Sequence, residues 1–184
     1  MPLRLYHPSA HIHAGVLAIF ALAIQASAIF VPLGADGVPK RLLFQLSYLL
    51  LIYFVAINRR RIGLLIIGLG LVLNFLPIVA NGGLMPVAPE ALAEIDQLHR
   101  IEGLDEGDAI ANTKNLLKER ENTRLWTLSD RLVWDNPVFF RVFSIGDVVI
   151  GAGLIVTLAE LFLPRPRRTS LDPATRNPET GPPA

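Results

Sequence analysis

Four uncharged or nearly uncharged apolar runs, at residues 14–33, 42–57, 62–80 and 142–163, leave this chain few folds to choose from. An α-helix rises about 1.5 Å per residue, so about 20 residues span the roughly 30 Å hydrocarbon core of a bilayer. Three of the runs reach that length. The second has sixteen residues and would cover about 24 Å at the same rise. It is either a tightly flanked membrane helix or a buried soluble one. Lys40-Arg41 before it and Arg59-Arg60-Arg61 after it can snorkel to two interfaces, which favours spanning. Only helices and closed barrels satisfy every backbone group in lipid, and unbroken runs without alternation exclude the barrel. The expected class is therefore all-α: an integral membrane protein with about four transmembrane helices.

Composition agrees, because 52% hydrophobic and 18% charged residues fall outside a soluble domain's usual quarter charged. Residues 1–164 read as a single membrane domain. Cysteine is absent, which excludes thiol chemistry, disulfides and cysteine-ligated metals. The net charge of +1 gives no reason to expect a nucleic-acid partner. Ala26-Ser27-Ala28 resembles a signal cleavage site, but the apolar run continues to Leu33, beyond a usual signal core, which favours a retained helix.

Basic residues near helix ends favour the cytoplasmic side. The cluster Arg59, Arg60 and Arg61 puts the turn between the second and third runs there. Arg165, Arg167, Arg168 and Arg4 then fall on the same side, so both termini are expected in the cytoplasm of a bacterial cell bounded by this inner membrane. Lys40-Arg41 and the scattered Arg100, Arg124, Arg131 and Arg141 oppose that orientation. Only Asn58 and the three arginines connect the second and third runs, so those helices are antiparallel neighbours. Residues 165–184 are rich in proline and polar side chains and read as a disordered tail.

The outer loop, residues 81–141, carries eleven acidic and seven basic residues and is expected to be solvated. Leu92, Ile95, Leu98 and Ile101 recur at three-residue steps after Pro89, predicting an amphipathic helix lying on the membrane surface. A second, weakly patterned helical stretch covers Ala109 to Arg120. Trp126 and Trp134 suit the aromatic belt of the outer interface. In the third and fourth runs Gly63, Gly68 and Gly70 match Gly146, Gly151 and Gly153 in spacing, which suits close helix packing with Gly70 and Gly153 at similar depth.

One polar cluster is expected near the outer interface. Asn74 falls about 9 Å below it and Asp147 about 6 Å into the fourth run. Polar groups in hydrocarbon seek a partner helix or a water-filled cavity, so an Asn74–Asp147 contact is the natural inference, and an intramembrane carboxylate is a functional candidate. Architecture explains the same residues. Ser144 and Asp147 fit a capping box, and Asn81-Gly82 is what a helix C-terminus requires.

These residues carry a resemblance. Leu46-Ser47-Tyr48-Leu49-Leu50-Leu51, the basic turn, Leu73-Asn74-Phe75, Asn81-Gly82-Gly83-Leu84-Met85-Pro86-Val87 and Phe143-Ser144-Ile145-Gly146-Asp147 together resemble a bacterial membrane-protein family, domain of unknown function 5317. The resemblance covers roughly Leu42 to Leu158 and implies a multi-pass membrane protein without implying a reaction. The family's loop carries Leu-Gly-Asp where this chain has Leu128-Ser129-Asp130.

Other chemistry is thin. His7, His11 and His13 lack acidic or cysteine partners, so no metal is expected, and no cofactor motif or catalytic triad order stands out. His99 reads as solvated, as does Glu160. Gln25 and Gln45 read as bonding a neighbouring helix. Two functions remain. The favoured one is a structural or interaction subunit whose contacts are membrane lipids and a membrane-protein partner or second copy, with Asn74, Asn81, Gly82, Gly83, Met85, Pro86, Ser144 and Asp147 holding its architecture. The alternative is a membrane enzyme or a lipid or small-ligand binder at the outer interface, using Asp130, Asp135 or Asp147. A pore would require an oligomer.

Overall fold

The computed structural model describes residues 14–31, 37–134 and 142–162. His7, His11, His13, Asp135 and the tail lie outside them. The chain is mostly helical, with α1 (Gly15–Phe30), α2 (Val38–Ile57), α3 (Ile62–Ala80), the short α4 (Pro89–Ala93) and α5 (Ile145–Phe162). The helices α2, α3 and α5 are each long and apolar enough to cross a membrane, whereas α1 is apolar but has only sixteen residues. The helical class holds, and among the described residues four short strands accompany the helices: β1 (Met85–Val87), β2 (Asn115–Leu117), β3 (Leu132–Val133) and β4 (Val142–Phe143).

Sequence reasoning started α2 too late. The helix begins at Val38 and is twenty residues long, with Lys40 and Arg41 inside its first turn. Pro39 near the start explains this, since a proline ring is preset for the first helical turn and its missing N–H has no partner there anyway. The shortfall in length therefore disappears.

The helices pack in chain order, α1 on α2, α2 on α3 and α3 on α5, the last pair having the most extensive contact. Glycines set that pair. A Cβ on Gly70 would lie 2.7 Å from the Gly146 carbonyl oxygen, and one on Gly153 would lie 2.6 Å from the Ile67 backbone nitrogen. Gly63 meets Thr157 in the same way. The pairs are thus Gly70 with Gly146 and Gly63 with Gly153, rather than Gly70 with Gly153. Similar depth alone therefore does not pick the partners: the glycine against Gly70 stands seven residues from Gly153. Gly151 faces open space.

At the end of α3 opposite the cap, the Ile62 N–H donates to Glu160 Oε1 at 3.1 Å. Glu160 is therefore a half-buried helix cap rather than a solvated residue. A carboxylate there is favoured by the helix macrodipole, and Glu160→Gln is expected to lower stability by under about 1 kcal/mol. Thermal unfolding in detergent checks this; a larger drop would mean that Glu160 supports more than one helix end.

Between α3 and α5 the chain forms a cap. β1 pairs in parallel with β2, Met85 opposite Asn115 and Val87 opposite Leu117, and β3 pairs antiparallel with β4. Of the two helical expectations for this segment the first holds in part and the second fails. The first stretch is helical over Pro89–Ala93, turns left-handed at Asp96, φ 56°, and resumes as one 3-10 turn over Leu98–Arg100. Its Ala91, Leu92 and Ile95 bury against Val87 and Ile110 inside the cap, so that face is covered by protein instead of a membrane surface. The second stretch contains β2, whose buried Leu116 and Leu117 sit beside an equally buried β1. Neighbouring apolar residues, both buried, suit a strand covered on two faces better than a helix with one apolar stripe. Trp126 lies under the Arg120 guanidinium at 5.5 Å, a cation–π contact, while Trp134 is exposed.

Candidate functional site

Three chain segments bring polar groups to the junction of cap and helices. The end of α3 supplies Asn74, fully buried although it lies well inside an apolar helix. The start of α5 supplies Ser144 and Asp147, which cap that helix reciprocally. The Asp147 N–H donates to Ser144 Oγ at 3.0 Å and the Ser144 N–H donates to Asp147 Oδ2 at 3.2 Å. The two ends are tied directly: Asn74 Nδ2 donates to Asp147 Oδ1 at 2.7 Å, and Ser144 Oγ donates to Asn74 Oδ1 at 2.6 Å. Asn74 is so close to Gly146 that a side chain there would collide with its amide. The same glycine that lets the backbones approach therefore makes room for the amide.

The cap supplies the third part: Asp130, already a candidate carboxylate, with Lys114 and Asn115, which sequence reasoning missed. Lys114 Nζ donates to Asp147 Oδ2 at 2.6 Å and lies 3.3 Å from Asp130 Oδ2. Asn115 Nδ2 donates to Asp130 Oδ2 at 2.8 Å. The Asp130 backbone N–H in turn donates to the Pro86 carbonyl at 3.2 Å, so β1 is flanked by β2 on one side and by Asp130 on the other. Tyr48 of α2 is buried behind Asn74, its ring 5.3 Å from Phe44 and 6.1 Å from Phe75. Lys114 had no sequence signal beyond standing next to the apolar pair Leu116-Leu117, since a single lysine in a polar loop has no periodicity to mark it.

Electrostatics at the junction are lopsided, with one ammonium against two carboxylates. Burial alone would lower the Lys114 pKa, but the Asp130 and Asp147 carboxylates outweigh it and hold the ammonium above the ordinary lysine value. Asp130 is 1% exposed. Burial pushes its carboxyl above the ordinary aspartate value; Lys114 pulls the other way and Asp147 adds to the rise. Its Oδ2 has two partners, whereas its buried Oδ1 has none.

The remaining candidates hold the cap in place. Asn81 Nδ2 donates to the carbonyls of Pro77 and Arg124, both at 2.8 Å, and its Oδ1 accepts from the Arg124 N–H at 2.9 Å. Gly82 and Gly83 follow in the left-handed region, φ 92° and 100°, where the Gly83 N–H closes α3 by donating to the Ile78 carbonyl at 2.8 Å. Met85 and Pro86 are buried in β1. Arg41 reaches across from α2 to the carbonyls of Gly82 and Gly107 at 3.0 and 2.6 Å. Lys40 donates to the Ile110 carbonyl at 3.4 Å. Ser129, where the resembled family carries glycine, has φ −74° and ψ 174°. That conformation suits any residue, so the serine fits without strain, and its hydroxyl donates to the Trp126 carbonyl at 2.7 Å.

These features define a mostly helical protein with, among the described residues, three helices long and apolar enough to cross a membrane and a small structured cap seated at one end on buried polar groups. The chain belongs to the family of unknown function DUF5317, whose model matches residues 9–159. That match takes in the first apolar run, which the motif-based resemblance left out. No curated protein and no solved structure matches the chain.

Proposed function

We propose that this chain is a four-helix, multi-pass protein of a bacterial inner membrane, with both termini in the cytoplasm, that serves as a structural or interaction subunit presenting its cap outside. One observation supports the architectural reading above others. Nearly every polar group at the junction is engaged by another group of the same chain: Lys114 by both aspartates, Asn74 by Ser144 and Asp147, Asn81 by Arg124. Groups engaged in this way fix a shape and leave few donors for a substrate. The cap surface, with Glu90, Glu94, Glu102, Asp105, Glu106 and Asp108 exposed, is acidic and suits a partner bearing basic side chains. Lys40 and Arg41, which argue against an outer position for this end if counted as topology signals, are engaged by cap carbonyls. The membrane-enzyme or small-ligand alternative rests on the one exception, the unpartnered Asp130 Oδ1.

The absence of cysteine makes the topology directly testable. In spheroplasts a membrane-impermeant maleimide is expected to label Glu102→Cys, and to label Arg59→Cys only after permeabilisation; the reverse pattern overturns the orientation. For the function itself, the tagged protein is purified gently from its native membrane and everything that accompanies it is identified by mass spectrometry. A stoichiometric protein partner is the expected result. A lone chain carrying one specific lipid or small molecule would overturn the subunit reading in favour of the ligand-binding one.

A further inference from the structure

Charge at the junction does not balance as drawn. Lys114 Nζ lies 2.6 Å from Asp147 and 3.3 Å from Asp130, so a single ammonium faces two carboxylates at the base of the cap. The two aspartates differ in what surrounds them. Asp147 accepts from the Asn74 amide, the Lys114 ammonium and the Ser144 backbone N–H, which are donors suited to an anion. Asp130 accepts from Asn115 and Lys114 through Oδ2 alone, and its Oδ1 is buried without a partner. An ionised oxygen in that position is costly, and protonating the group removes the cost. The titratable groups facing Asp130 are Lys114 from β2's edge and Asp147 from α5, with Tyr48 of α2 behind them; Asn115, Asn74 and Ser144 are neutral.

We propose that Asp130 and Asp147 share one bound proton, held on Asp130, so that together with Lys114 they form a proton-binding site governing how firmly the cap is seated on α3 and α5. With the proton bound, the triad is neutral. Without it, the triad carries an extra negative charge in a poorly hydrated place and two carboxylates repel each other across one ammonium. Two sites coupled this closely titrate as a pair. The raised pKa of Asp130 is consistent with this, burial being its main cause. The sign follows: the folded cap binds the proton more tightly than the unfolded chain does. The extra seating is therefore complete only below the unfolded aspartate value of about 3.9 and is lost as pH rises from there through the folded-state value.

Infrared spectroscopy of the full chain in detergent reads the proton directly, through the carbonyl stretch of a protonated carboxylic acid. At about pH 6 an unperturbed aspartate is ionised. The wild-type chain is expected to show a band there that Asp130→Asn and Asp147→Asn both abolish, since either variant leaves one carboxylate to one ammonium. Emission from Trp126 and Trp134 reports whether each variant keeps its cap. The wild type alone gives a second reading that needs no variant: its band must titrate with a midpoint above the ordinary aspartate value of about 3.9. A folded wild-type chain with no such band at about pH 6 overturns the proposal. So does a band that persists in Asp130→Asn, or one that appears only when sodium and potassium are withdrawn, which would put an alkali cation in the proton's place.

Discussion

Replacing Lys114 by methionine is expected to lower the stability of the chain by about 3 kcal/mol, the lower end of the cost of leaving a buried charge without its partner. The lower end applies because the Lys114 side chain is 23% exposed and keeps some solvent contact. Methionine keeps the length of the stem but removes the cation that stands between Asp130 and Asp147. Thermal unfolding in detergent, followed by tryptophan emission, is well placed to see it, because the chain's two tryptophans, Trp126 and Trp134, both lie in the segment between α3 and α5. Adding Asp147→Asn to the lysine variant should recover part of the loss, since Asp147, ionised beside a protonated Asp130, is the charge left stranded. A lysine that merely decorated the surface would cost within about 0.5 kcal/mol, and that outcome would remove the ion triad from any account of the cap.

Gly153→Leu is the second large effect. A Cβ at Gly153 would stand 2.6 Å from the Ile67 backbone nitrogen and 2.9 Å from the Gly63 carbonyl oxygen. Neither is the yielding end of a side chain, so α5 must move off α3 as a whole. Overpacking usually costs about 1–3 kcal/mol where side chains can adjust; against backbone the cost is expected to exceed that range. Moving α5 also pulls Ser144 and Asp147 from Asn74, so cap and helix contacts fail together. Gly151→Ala, on the open face of the same helix, should stay within about 0.5 kcal/mol. Equal unfolding temperatures for Gly153→Leu and wild type would mean that the α3–α5 contact is not made as described.

The apolar runs were legible because hydrocarbon imposes a simple rule on length and polarity, and the helix ends at Asn81-Gly82 and Ser144-Ile145-Gly146-Asp147 were legible because capping is local. Register was not: the glycine spacing identified two faces that suit close approach, but nothing within either helix states how far one slides along the other. The cap was least legible. Leu92, Ile95, Leu98 and Ile101 have the periodicity of a surface helix, yet Val87 and Ile110, outside that stretch, cover Leu92 and Ile95 while Leu98 stays exposed. Lys114 and Asp130 are sixteen residues apart in a polar stretch, and only the parallel pairing of β1 with β2 brings them together beneath Pro86. Gln45 bonds back to the Arg41 carbonyl of its own helix at 3.3 Å, a local choice that helical spacing alone does not distinguish from a bond to a neighbour.

The link from Asn74 to Asp147 joins residues 73 positions apart, and this constrains how the protein can be made. When α3 leaves the ribosome, its amide lacks its partners at the start of α5, because Ser144 and Asp147 have not been synthesised. Closing so long a loop is entropically unfavourable until both ends are held. Closing the junction therefore waits for α5, which brings Asp147 to Lys114 and Ser144 to Asn74. Contacts that use no part of α5, such as Asn115 with Asp130 and β1 with β2, are not bound by that order.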